Sequence, residues 1–234
     1  MARILVTLAL AAYNNAANLW PPFNRAAYVP ANLLASALLV AVAVGALDLS
    51  RSKVGLGGLS AVDFELGASI GTAIALPLLL LAQTEGSARV IADRRVSGLR
   101  GRALVYQTVV RVPLGTALLE EVAFRGVLFA AWRGEGDLTA YVVSSVVFGL
   151  WHVTPAATMV RMNAPRASLV LPVVGTVVLT ALAGAALTWL RVETGSLAAP
   201  FALHAMLNSL ATLAGARAGR RLDRVRRCRT PGRT

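Results

Sequence analysis

Cysteine is all but missing. The 234-residue chain has one, Cys228, and a lone thiol closes no intrachain bridge, so a disulfide scaffold is excluded. Charge is scarce too: 15% of residues are charged, against about 25% in a soluble domain. Apolar residues make up 56%, above the roughly 45–50% of soluble chains. These departures exclude a disordered chain and a soluble two-domain enzyme. Acidic residues number 11 against 23 basic ones, and there are only two histidines. No His-Glu-x-x-His zinc motif occurs, and no internal repeat is visible.

What the chain does have is long apolar runs, such as 66–83 and 168–190. A helix of about 20 apolar residues crosses a bilayer. The fold class is therefore all-α, a polytopic membrane helical bundle. Spans are expected at 28–47, at 62–83 with Pro77 as a kink, at 103–132, at 138–160 ended or bent by Pro155, at 168–190 and at 196–215. The run 4–13 follows Arg3 and is interrupted by Asn14, Asn15 and Asn18. It reads either as the apolar region of a signal peptide or as a short first membrane helix ended by Trp20-Pro21-Pro22. Retained, it gives about seven transmembrane helices; otherwise there are six.

The net charge of +12 would suit nucleic acid, but its distribution points elsewhere. Eight arginines lie from Arg217 onward and five between Arg89 and Arg102, both groups flanking apolar runs. Lys and Arg are enriched in cytoplasmic loops. Placing the tail inside brings 16 basic residues inside, Arg25 among them, against five outside. The expectation is a multi-pass cell-membrane protein with a cytoplasmic C-terminus. Its basic segments would meet anionic inner-leaflet lipids, with no nucleic acid partner.

Charge inside the apolar stretches is a separate matter. A charged residue at the bilayer centre costs about 2.5–3.5 kcal/mol on insertion scales, and such residues face the bundle interior or a wet cavity. Glu120, Glu121 and Arg125 all lie inside the 103–132 stretch. Glu121 and Arg125 are four apart and can pair on one helix face, leaving Glu120 about 100° away, free to point elsewhere. Phe148 and His152 are four apart in the next span, and His204 and Asn208 in the last. Three spans thus offer ionisable or polar groups at membrane depth. A cavity glutamate poised between burial and a neighbouring cation can serve as general base. A histidine can assist it against water, while a second histidine and an amide donate to a developing oxyanion. Two His and one Glu can also bind zinc.

These residues resemble the CAAX-protease and bacteriocin-processing (CPBP) family of intramembrane proteases, which includes Rce1-type prenyl-protein endopeptidases and Abi proteins. The family elements are Glu-Glu-x-x-x-Arg, Phe-x-x-x-His and His-x-x-x-Asn. Here they read Glu120-Glu121-Val122-Ala123-Phe124-Arg125, then Phe148-Gly149-Leu150-Trp151-His152, then His204-Ala205-Met206-Leu207-Asn208. The resemblance implies N-terminal transmembrane helices and a basic cytoplasmic loop over 1–103, a protease core over 104–215 and a basic cytoplasmic tail over 216–234. It implies Glu120 as the base that activates water with His152, and His204 with Asn208 as the oxyanion site. Glu121 and Arg125 would be a supporting ion pair and Phe148 a packing partner of His152. No cofactor is expected; a zinc ion on Glu120, His152 and His204 is the alternative. The implied activity is an intramembrane endopeptidase acting on a membrane-associated or lipidated peptide or protein substrate near its C-terminus. The alternatives are a non-catalytic immunity or scaffold protein on the same fold, and a transporter using the Glu and His residues as a proton relay. Cys228 has six residues after it and is not placed as a CAAX cysteine.

Two further motifs are set aside. Gly67-Ala68-Ser69-Ile70-Gly71 fits Gly-x-Ser-x-Gly but lacks the strand-turn-helix context of a nucleophile elbow; glycines four apart suit helix packing. Gly134-Glu135-Gly136-Asp137 resembles an aspartyl-protease element but sits in a polar turn, with no second aspartate inside a span.

Overall fold

The computed structural model describes residues 1–18 and 27–229. The expected stop at Trp20-Pro21-Pro22, and Arg25, lie outside the described residues. All regular structure among the described residues is helical. α1 (Ala2–Asn18) and α2 (Tyr28–Gly45) open the bundle. α3 (Ala61–Leu81) starts where the Ser60 hydroxyl accepts from the Val62 and Asp63 amides, as N-cap side chains do. A short α4 (Glu85–Ile91), capped by Thr84, occupies part of the segment expected as a basic loop.

α5 is one helical run over 101–132. Two stretches of it, Tyr106–Ala117 and Glu121–Leu128, are π-helical. Such turns are rare, usually single, and frequent at functional sites. α6 (Asp137–Trp151), α7 (Val153–Asn163), α8 (Val170–Thr194) and α9 (Ala198–Arg229) complete the bundle. α8 stops at Gly195, whose φ of 69° is left-handed, a conformation glycine adopts without a Cβ clash. α9 carries its helix through Gly215 into the arginine-rich tail instead of ending there.

Four helical stretches are long and apolar enough to cross a membrane: Tyr28–Gly45, Ala61–Leu81, Asp137–Asn163 and Val170–Thr194. α1 has 17 residues, α5 carries buried charge, and α9 carries His204 and Asn208 in its apolar half.

Hydrogen bonds sort the connecting segments onto two faces. On one, the Arg94 amide donates to Asn163 Oδ1 at 3.0 Å, and Arg220 Nη1 donates to the Leu99 carbonyl at 3.1 Å. The basic segment 84–100, the end of α7 and the arginine-rich half of α9 therefore meet. On the other, the Leu197 amide donates to the Gly55 carbonyl at 3.0 Å, and Arg191 Nη2 donates to the Lys53 carbonyl at 3.1 Å. The segments grouped together by the charge argument are also grouped in space.

α3 packs along α9, and the Gly67-x-x-x-Gly71 pair makes this possible. A Cβ on Gly67 would fall on the Ala199 carbonyl, and one on Gly71 on the Leu203 carbonyl. The glycines serve close helix approach, and the Gly71 contact holds α9 beside His204.

Candidate active site

The site begins with a break between α6 and α7. The sequence pattern suggested Pro155 as the end or bend; the chain breaks three residues earlier, at His152, with φ −94° and ψ 3°. Pro155 sits instead in the first turn of α7, where the missing N–H is tolerated. A regular helix would pair the Trp151 carbonyl with the amide of residue 155, which proline lacks. Asn14 Nδ2 donates to that carbonyl at 3.0 Å. Asn15 replaces the next helical bond: its Nδ2 donates to the Leu150 carbonyl at 3.0 Å and its Oδ1 accepts from the Thr154 amide at 2.9 Å. The two amides that looked like interruptions of the first apolar run are thus the partners of the broken helix. Their side chains supply the hydrogen bonds that backbone within an apolar span requires. α1 is tied to the same place by Leu10, packed against Phe124 and Trp151, and by Tyr13, whose ring stacks on Trp151 at 5.8 Å.

The His152 ring is fixed by its own helix. Its Nδ1 lies 2.8 Å from the Phe148 carbonyl. A carbonyl only accepts, so Nδ1 carries the proton and Nε2 is turned to the interior. The Phe148 ring meets His152 edge-on at 4.8 Å, as the motif reading expected.

From α5, the run 119–130 is buried without interruption. Glu120 is 5% exposed, and Glu121 and Arg125 are fully buried. Glu120 Oε1 accepts from Trp151 Nε1 at 3.0 Å. Its Oε2 faces both histidines, 3.6 Å from His204 Nε2 and 4.0 Å from His152 Nε2, and has no hydrogen-bond partner among the described residues. Glu121 turns the other way. Its Oε1 accepts from Arg125 Nη1 at 3.2 Å and from His204 Nδ1 at 2.7 Å. The ion pair expected from i,i+4 spacing is present, and it carries a third member that the spacing did not foretell. Among the described residues Arg125 pairs with no second carboxylate; its guanidinium lies over the Phe148 ring at 4.0 Å, a cation–π contact. Phe148 therefore links Arg125 to His152.

Glu120, His152 and His204 converge. Asn208 follows His204 by one turn of α9, is half-buried, and makes no hydrogen bond among the described residues. Trp151, Asn14 and Asn15 are the contributors that the motif reading missed. Trp151 lies inside the Phe-x-x-x-His element, and the asparagines were visible only as polar residues in an apolar run.

The donor types suit zinc, and each histidine engages its Nδ1 as outer-shell partners of metal ligands do. Among the described residues, however, no group of three or more His, Cys, Asp or Glu side chains is arranged to hold a metal ion. The chemistry below is derived from the side chains alone.

Residues 102–210 match the family described as type II CAAX prenyl endopeptidase Rce1-like. Over these residues the chain is similar to that family, and the stretch is called the Rce1-like core below. No curated protein and no solved structure matches it. The Rce1-like core contains Glu120, Glu121, Arg125, Phe148, His152, His204 and Asn208. The residues that brace it from outside, Asn14 and Asn15 on α1 and Gly67 and Gly71 on α3, precede it. The match supports a protease role in general terms, and the apolar helices are long enough to cross a membrane.

An apolar groove of about 390 Å³ runs to the Rce1-like core from the face that carries the 46–60 loop. Leu56, Phe64, Leu118, Leu197 and Phe201 line it, and Glu121 forms part of its wall.

Proposed function

We propose that this protein is an intramembrane endopeptidase in which Glu120 activates water. One observation carries the reading: a buried carboxylate oxygen faces two histidine Nε2 atoms, within 4.0 Å of each. Glu120 Oε2 takes a proton from a water held against His152, and the hydroxide attacks the substrate carbonyl. Developing negative charge on the carbonyl oxygen is met by the Nε2–H of His204 in its doubly protonated form, whose Nδ1–H is held by Glu121, and by the Asn208 amide. Glu120 then returns the proton to the leaving amine. Oriented donors of this kind each lower the barrier by about 2.7–4 kcal/mol. Glu121, Arg125 and Phe148 position His204 and the α6 end.

The groove beside Glu121 supports a substrate with an apolar or lipidated segment near the scissile bond. The arginine excess on one face supports a multi-pass cell-membrane protein with a cytoplasmic C-terminus. The experiment is Glu120→Gln in membranes, followed on an identified substrate. Loss of cleavage with normal accumulation is expected; undiminished cleavage ends the proposal. Retention of a biological effect in Glu120→Gln would instead favour the non-catalytic immunity or scaffold reading.

A further inference from the structure

On the basic face, the end of the 84–100 segment meets the arginine-rich half of α9. Between them lies a cleft of about 420 Å³ lined by Arg100, Gly101, Leu104, Arg220, Asp223 and Arg224. Three cations and one anion share its wall. Arg220 is spent in part on the fold, since it donates to the Leu99 carbonyl. The side chains of Arg100 and Arg224 make no hydrogen bond or ion pair among the described residues, and neither does that of Asp223. This differs from the rest of the segment, where Arg89 pairs with Glu85 and Arg95 with Asp93. Like charges drawn to one cleft repel each other, so the arrangement favours an anion between them. Guanidinium groups match phosphate oxygens with paired donors.

The cleft also has an apolar end. Leu104 belongs to its wall, and the next turns of α5 expose Val105, Tyr106 and Val109 at 59%, 49% and 63%. A phosphate held by the arginines would therefore sit at the head of an apolar surface turned outward from the bundle. We propose that this cleft binds the phosphate of an anionic phospholipid headgroup, with the acyl chains lying along α5 past Leu104. Basic pockets between membrane helices take such headgroups. The site lies apart from the Glu120 pocket and does not depend on its chemistry.

The test uses the full-length protein purified in a neutral detergent, with bound lipid counted by native mass spectrometry during titration with phosphatidylglycerol or phosphatidylcholine. Phosphatidylglycerol should bind at a saturable site and phosphatidylcholine should not. The double variant Arg100→Gln/Arg224→Gln should weaken that binding at least about tenfold, the scale of two lost charge-assisted contacts. The control Arg161→Gln/Arg166→Gln removes the same charge from another part of the basic face and should leave it unchanged. Arg220 is spared because it holds Leu99. Inorganic phosphate separates the two sources of the group. Weak displacement by millimolar phosphate assigns the site to lipid. Phosphate binding that is lost in the cleft variant, with no phosphatidylglycerol binding, assigns it to a free anion and overturns the lipid proposal. Equal losses in the two double variants, or equal binding of both lipids, reduce the cleft to diffuse surface charge and also overturn it.

Discussion

α8 and the middle of α5 sit at opposite extremes of the bundle. α8 is a long apolar helix with most of its length exposed; its buried residues, from Gly184 to Arg191, all lie in its last turns. The stretch 119–130 of α5 holds two glutamates and an arginine, and every residue of it is buried. In water the apolar helix would be the core. In a bilayer, lipid solvates the apolar helix, and the charged one must be enclosed by protein. Polarity marks the interior here, and within the interior it marks the site.

Arg125→Met would break this contrast most sharply. It leaves Glu121 buried beside His204 without its cation. Removing one partner of a buried pair costs about 3–5 kcal/mol, so thermal unfolding in detergent should show a large loss. A conservative change in the exposed part of α8, Leu179→Val, should stay within about 0.5 kcal/mol, as substitutions away from specific contacts do.

Gly184→Val sharpens the same comparison within α8. A Cβ there meets Phe148 Cδ1 at 3.0 Å and Arg125 Nη2 at 3.3 Å. Overpacking costs about 1–3 kcal/mol, and cleavage should fall with it because Phe148 carries both Arg125 and His152. Activity and stability both unchanged would place this part of α8 away from the core.

Asn15→Ala removes the side chain that bridges the α6–α7 break. The Thr154 amide loses its side-chain partner and the Leu150 carbonyl one of its two donors, and a polar group left unpaired away from water costs about 1–3 kcal/mol. The turnover number should drop more than the Michaelis constant rises, because His152 is displaced while the groove is intact. Asn15→Asp keeps the acceptor for Thr154 and should recover part of the loss.

Legibility followed sequence distance. The Glu121–Arg125 pair and the Phe148–His152 contact are written in i,i+4 spacing. The bond from His204 to Glu121 joins residues 83 apart, and no local pattern encodes it. The chain break moved from Pro155 to His152 because the proline's missing amide is answered by α1, a tertiary effect. The π-helical turns of α5 were equally hidden, although Pro113 and Gly115 within the first of them are poor helix residues. The arginine excess and the hydrogen bonds group the same segments: 84–100, the end of α7 and the tail on one face, the 53–55 and 191–197 segments on the other.

The smallest expected effect lies on the basic face. Burial alone would raise the Asp93 carboxyl, but hydrogen bonds and charge from Arg95 outweigh it and hold it below its ordinary 3.8. A carboxylate with a depressed folded-state value stabilises fully above its unfolded value and loses that contribution as pH falls through the folded one. Unfolding of the wild-type protein should therefore ease slightly below about pH 4. Asp93→Asn should remove that component of the acid sensitivity.

The most direct test of the account is a double-mutant cycle on cleavage rate with Glu120→Gln and His204→Gln, each shown to accumulate normally. Groups that act as a unit on one reacting centre are strongly non-additive. The double variant should be no slower than the slower single variant. Losses that multiply, each residue contributing independently of the other, would contradict a shared hydrolytic centre.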